Sequence, residues 1–170
     1  MLRMRASSVA LLVFGLCLLI GCTNAPQPRA EVLASGICEN SQVLQRYALP
    51  QSTAGYAEYG KPVITRETEV VPLRKGIGFG LRWRATGIPE QVDITEIFTH
   101  PSITRPDGKT LAGFEEPMKY KAIDGVVETT DCYMLSEDYE LVAGDWTISI
   151  VYSGITLAKR SYRVERRSSL

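Results

Sequence analysis

Twenty residues near the C-terminus, "DWTISIVYSGITLAKRSYRV" (145–164), follow a pattern that only an extended chain can exploit. Trp146, Ile148, Ile150 and Tyr152 recur at every second position, separated by small or polar residues. A strand turns successive side chains to opposite faces, so this spacing predicts a strand with one apolar face. Ser153-Gly154 then supplies a two-residue turn, and a second strand returns to Val164, which together predict a β-hairpin. The apolar phase changes between Leu157 and Tyr162, which predicts a bulge in the returning strand.

The same period recurs upstream. In "GFGLRWRATG", Phe79, Leu81 and Trp83 share one face, while Gly80, Arg82 and Arg84 share the other. In "QVDITEIF", Val92 and Ile94 keep the phase and Ile97 breaks it, which predicts a second bulge. Further strand candidates are Val32 to Glu39, Pro62 to Val71, Met118 to Ala122 and Val126 to Leu135. Turn signals separate them: "YGKP", "RKGIG", "TGIPE", "RPDGKT", "IDGV" and "VAGD". "ENSQVLQRYALP" is the best short helix candidate, and it reads equally well as a loop or a strand. With no long helical stripe after residue 30, the pattern predicts an all-β fold, an antiparallel Ig-like β-sandwich of about seven strands. Trp83 and Trp146, each on an apolar strand face, are expected to anchor its core.

A set of spaced motifs carries a resemblance. "VVPLRKGIGFGLRW", "GIPEQVDIT", Pro101, "RPDGKT", "YMLSEDYELVAGDW" and "LAKRSYRV" together resemble an uncharacterised bacterial family of secreted or lipid-anchored Ig-like domains, a domain of unknown function. The resemblance spans residues 36–164. It implies the sandwich fold and brings no activity or catalytic residue.

The N-terminus supplies an address. Arg3 and Arg5 precede an apolar run from Ala10 to Ile20, which is about half of the ~20 residues a membrane-crossing helix needs. A basic start, a short apolar run and a small-residue exit describe a secretory signal peptide. Leu19-Ile20-Gly21-Cys22 resembles a bacterial lipobox. The resemblance implies cleavage before Cys22 and acylation of its sulfur, since only the thiol can form the thioether. Two or three acyl chains meet the need for more than one anchoring signal. Thr23, where an Asp would hold the protein back, points to the periplasmic face of the outer membrane. The expected organisation is a signal peptide (1–21), a lipidated N-terminus with a flexible, proline-rich tether (22–34) and one sandwich domain (35–166).

Loss of residues 1–21 removes two arginines and leaves 17 basic against 19 acidic residues. That near-neutral balance speaks against nucleic acid as a partner. Four cysteines are present, of which Cys17 leaves with the signal peptide and Cys22 takes lipid. Cys38 and Cys132 remain as a pair in an oxidising compartment, which reads as a disulfide. Closing so long a loop contributes on the order of 4–5 kcal/mol on the chain-entropy model.

Chemistry is poorly served. Nucleophilic catalysis wants a base, and the one histidine, His100 in "FTHPS", has no nucleophile-elbow motif nearby and reads as a solvent-exposed turn residue. "KGIGFG" lacks the lysine-containing end of a phosphate loop and leads into a strand, so Gly78 and Gly80 are assigned to close sheet contact. Glu115, Glu116, Glu137, Asp138 and Asp145 read as solvated turn carboxylates. Arg82 and Arg84 are expected to pair with acidic cross-strand neighbours, Asp93 being one choice; the alternative is a small anion patch. No cofactor is expected and no metal site, for want of Cys-x-x-Cys or calcium-loop spacing. The long irregular stretches carry Tyr56, Tyr59 and Phe114, aromatics that suit a contact surface.

The expected role is therefore non-enzymatic: a lipid-anchored envelope module that binds an envelope protein or glycan. The alternative is an inhibitor or accessory protein of a cell-wall enzyme.

Overall fold

The computed structural model describes residues 27–166, so Cys22, the signal peptide and the first part of the tether lie outside the described residues. Nine strands and one 3₁₀ turn follow in order. They are β1 (Arg29–Ala48), β2 (Tyr56–Glu67), β3 (Val70–Pro72), β4 (Gly78–Thr86), β5 (Gln91–Thr104), β6 (Thr110–Lys121), β7 (Val126–Met134), the 3₁₀ turn Asp138–Glu140, β8 (Gly144–Tyr152) and β9 (Ile155–Glu165). Two sheets face each other, one in the order β2-β1-β4-β7 and the other β3-β9-β8-β5-β6. All pairings are antiparallel except the short β3–β9 ladder. This is the all-β sandwich that the alternation predicts, with nine strands rather than about seven. The candidate Pro62 to Val71 divides between β2 and the separate three-residue β3, which pairs in the other sheet.

The hairpin at the C-terminus forms as the sequence requires. Ser153 and Gly154 both take positive φ, 48° and 78°, the conformation that a two-residue turn matched to strand twist demands. Leu157 is the extra residue of a bulge, since Ile150 pairs with Ala158 and Val151 with Thr156. In β5 the expectation fails. Val92, Ile94, Glu96, Phe98 and His100 are all buried in one unbroken phase, and Ile97 lies half-buried on the other face. The register shift comes later, between Thr99 and Ile103. The reading went astray because it took the apolar Ile97 as inward and Glu96 as outward, when the polar residue holds the core phase.

Two further readings change. "ENSQVLQRYALP" is strand, as the second half of β1, and pairs with β2 from Val43–Gly60 to Ala48–Tyr56. Residues 29–34, assigned to the tether, are strand as well and pair with β4 from Arg29–Thr86 to Ala34–Arg82. Ala30 and Val32 pack against the core, which is why the strand begins there, directly after Pro28.

Phe79, Leu81 and Trp83 of β4 meet Trp146, Ile148 and Ile150 of β8 and Tyr162 and Val164 of β9 in the core. Trp83 is 0% and Trp146 1% exposed, so both are core anchors. A disulfide joins Cys38 of β1 to Cys132 of β7, with Cα atoms 6.5 Å apart and β4 between the two strands. Glycine is what lets the strands close up there. A Cβ on Gly80 would stand 1.9 Å from the Asp131 carbonyl oxygen, and one on Gly78 would stand 2.2 Å from the Met134 sulfur.

Candidate functional site

The second half of β1 leaves β4 and continues with β2 as a two-stranded ribbon. β4 accompanies β1 only as far as Cys38, whereas β2 follows it to Ala48. This ribbon closes over the side of the sandwich where β7 ends one sheet and β6 ends the other. Beneath it lies a half-enclosed cavity of about 350 Å³. That volume falls within the range of small-molecule sites, about 300–1,000 Å³.

Its walls come from the inward phases of three strands. On β5 and β6 these are Glu96, Phe98, Phe114, Glu116, Met118 and Tyr120; on β7, Thr129, Asp131 and Tyr133. The ribbon adds Tyr47, Tyr56, Tyr59 and Lys61. Phe98 and Phe114 stack at 4.7 Å, and Arg46 sits 4.3 Å over the Tyr56 ring while pairing with Glu58. Tyr56, Tyr59 and Phe114, expected on loops as contact residues, are on strands, and all three line this cavity.

Four carboxyls line it: Glu58 on the ribbon, which pairs with Arg46, and Glu96, Glu116 and Asp131 on β5, β6 and β7. Tyr120 donates its hydroxyl proton to Glu96 Oε1 at 2.8 Å and approaches Asp131 Oδ1 at 3.4 Å. Trp83 Nε1–H donates to Asp131 Oδ2. The Tyr120 hydroxyl thus reaches both carboxyls and holds Glu96 and Asp131 side by side. Burial pushes Glu96 well above the ordinary carboxylate range, and the Asp131 charge pushes it further. Burial also raises Asp131, to about 6, against the hydrogen bonds from Trp83, Glu96 and Tyr120. Of the two, Glu96 therefore holds its proton longer, and Asp131 is the first to become a carboxylate. Glu116 is raised by burial and opposed by the Tyr47 hydroxyl, which donates to it at 2.5 Å.

This arrangement corrects the reading of Glu116 as a solvated turn residue: it lies on β6 and half-buried in the cavity. Glu115, on the outer face, is exposed. Glu137 accepts from the Tyr56 hydroxyl at 3.1 Å, Asp138 meets Lys75, and Asp145 meets Arg163. Sequence reasoning missed Glu96 and Asp131. The available signal was their phase, because each falls on the inward parity of a strand whose other inward residues are mostly apolar or aromatic.

His100 is likewise not a solvated turn residue, for it lies on β5 and is 6% exposed. Its Nδ1–H donates to the Pro101 carbonyl at 2.8 Å, which leaves Nε2 to accept from the Thr53 hydroxyl at 2.6 Å. Burial holds it below its usual pKa, and its ring packs against Trp146 at 4.7 Å. Both nitrogens are committed, so it is placed as a core residue and not as a base aimed at a substrate.

Arg82 and Arg84 do pair across strands. Their shared partner is Glu128 of β7, with Glu31 of β1 also near Arg84. Asp93 pairs with Lys119 instead, because β5 lies in the opposite sheet. Among the described residues no three His, Cys, Asp or Glu side chains are arranged to hold a metal ion.

With the geometry in place, known proteins add the following. A family model described as a domain of unknown function (DUF3859) matches residues 27–164. An immunoglobulin-like protein from Pseudomonas aeruginosa superposes with a TM-score of 0.59 and 22% identity, over 84% of this chain and 99% of that one. At that identity the likeness shows the fold alone. An alkylpurine DNA glycosylase from Pseudomonas fluorescens, bound to abasic-site DNA, matches with a TM-score of 0.37 and 9% identity, over 57% of this chain and 27% of that one. A likeness that low carries no argument. No curated protein matches.

Proposed function

The chain belongs to the family described as a domain of unknown function (DUF3859), and on that premise we propose that it is a non-catalytic binding module of the bacterial envelope. In this reading Cys22 is lipidated and holds the domain at the periplasmic face of the outer membrane. The lipobox-like Leu19-Ile20-Gly21-Cys22 supports the anchor.

One observation carries the binding role, the half-enclosed cavity of about 350 Å³ lined by aromatic rings and four carboxyls, of which Glu58 is paired with Arg46. Partly apolar walls keep the local dielectric low, so a negative charge inside attracts a cation more strongly than it would on an open surface. Tyrosine and phenylalanine faces add cation–π attraction. The ligand that suits these walls has an apolar or aromatic body and an ammonium or guanidinium group. It is either a free amine or a basic side chain of an envelope partner.

The test is to titrate the mature chain, with Cys22→Ser to keep it in solution, with phenethylammonium and with phenylpropionate. The indole signal of Trp83 reports, since that ring touches Asp131. Saturable binding of the ammonium compound, weakened by Glu116→Gln, is the expected result. No saturation by the cation, or equal binding of the anion, contradicts the reading. For the anchor, mass spectrometry of the envelope protein should find acyl chains on Cys22.

A further inference from the structure

The two carboxyls at the back of the cavity belong to different sheets. Glu96 is on β5, in the sheet of β6, β8 and β9, whereas Asp131 is on β7, the last strand of the sheet of β1 and β4. Among the described residues β7 forms a ladder with β4 alone, besides a single bridge from Val126 to Ile123, and β6 with β5 alone. On this side the sheets are therefore tied by side chains and not by a shared ladder. Four side chains form that tie in a row across the gap: Tyr120 of β6, Glu96 of β5, Asp131 of β7 and Trp83 of β4.

The row is short of donors. Two carboxyl groups offer four oxygens, and the donors from other side chains are the Tyr120 hydroxyl and the Trp83 indole N–H. A proton kept by Glu96 beside the Asp131 carboxylate makes up the shortfall. If that proton goes to water, a buried and a half-buried carboxylate face each other, and the contact turns repulsive.

We propose that the Glu96–Asp131 pair is a proton-operated clasp between the two sheets, closed while a proton is shared and opened at the β6–β7 side when it leaves. This deepens the binding role proposed above and rests on it in one respect. A cationic ligand takes the place of the departed proton, so binding releases a proton, and affinity rises with pH through the opening window. The charged and titratable groups that face the pair are Glu116 and Tyr120 from β6, Tyr47 from β1 and Lys61, which lines the cavity from β2. Glu116 adds to the repulsion. Below about 6 both carboxyls carry protons; above it Asp131 is the carboxylate beside a protonated Glu96, and the closed form is lost in the later step, when Glu96, raised well above the ordinary range, gives up its proton.

The experiment is an NMR pH titration of the mature Cys22→Ser chain from about pH 4 to about pH 9, a span that brackets ordinary and raised carboxyl values. It follows the Trp83 indole N–H and the exchange of β7 amides, corrected for base catalysis. Two outcomes together support the clasp. The indole signal moves in two steps, the later one above the ordinary carboxylate range, and β7 protection falls about tenfold for each unit by which the later step exceeds that range. Glu96→Gln and Asp131→Asn, each close in shape to the native residue, should abolish the later step and keep β7 protected throughout. A single step in the ordinary range, or β7 protection unchanged across the span, overturns it. Repeating the titration with phenethylammonium separates the two proposals. A clasp that titrates while no cation binds leaves the clasp standing and removes the ligand reading. Binding at constant affinity across the window, with no proton released, removes the clasp and keeps the ligand reading.

Discussion

Glu140 and Glu96 are both buried and both hydrogen-bonded by a tyrosine, but Glu96 has the half-buried carboxyl of Asp131 beside it, and the two sites are built for opposite ends. Glu140, 0% exposed, accepts from the Tyr133 hydroxyl, from the Ser136 backbone N–H at 2.9 Å and from the Glu137 N–H at 2.8 Å. One carboxyl with three donors is satisfied as it stands, and it pins the turn that carries the chain from β7 to β8. The pair has two carboxyls and two donors from other side chains, so it is complete only with a proton of its own. The difference lies in the count of donors per oxygen, and burial alone does not predict it. A saturated carboxyl reads as structure, and an undersupplied pair on a cavity wall reads as a place where protons or cations come and go.

The largest effect is expected beside the pair. Cys132 follows Asp131 on β7, and its disulfide to Cys38 closes a loop of 94 residues. Replacing both cysteines by serine should cost about 4–5 kcal/mol in denaturant unfolding. A small loss would mean that β7 is held by packing alone.

Next is Trp146, which packs on Phe79, Tyr133 and His100 at the structural end of the comparison. Trp146→Ala should cost about 3–5 kcal/mol by the same measurement, with cation binding at the cavity retained in the folded fraction. Glu140→Ala follows at about 3 kcal/mol, because it strands two backbone N–H groups and a buried hydroxyl. Its cost should vary little between neutral and mildly alkaline solution. A Glu140→Ala protein as stable as the parent would erase the distinction drawn between the two sites.

The smallest stability effect, and the most informative, is that of Glu96→Gln. The native pair has carboxyls raised above their unfolded values, so its contribution is fully present at low pH and declines as pH rises through the folded values. The variant escapes that decline. It should match the parent in acid and exceed it by on the order of 1–2 kcal/mol in mildly alkaline solution. Thermal unfolding across pH checks the sign.

The strands were legible because alternation and turn residues are local. Ser153-Gly154 and the Trp146 to Ile150 phase specify a hairpin without reference to the rest of the chain. The cavity was less legible because its parts lie on β5, β6 and β7 and meet only through sheet order, which alternation does not encode. Glu96 and Asp131 nevertheless left a mark, a carboxyl on an inward phase. In β5 that mark was masked by Ile97, whose apolar character invited a bulge where none occurs. His100 was misjudged for the same reason, since a histidine beside a proline resembles a turn until the long β5 strand is seen to pass through both. The Glu128 partnership of Arg82 and Arg84 depended on β4 pairing with β7 across about 45 residues of sequence, beyond the reach of any local pattern.

The most direct test of the two-site distinction is a side-chain carboxyl ¹³C NMR titration of the mature Cys22→Ser chain, reading Glu96, Asp131 and Glu140 in one sample. The account predicts that Glu96 and Asp131 titrate as a coupled pair in two steps, one near 6 and one higher, while Glu140 titrates in a single step of its own. Glu96→Gln should collapse the pair's two steps to one and leave the Glu140 curve unmoved. Independent titration of Glu96 and Asp131 in the ordinary carboxylate range would contradict it.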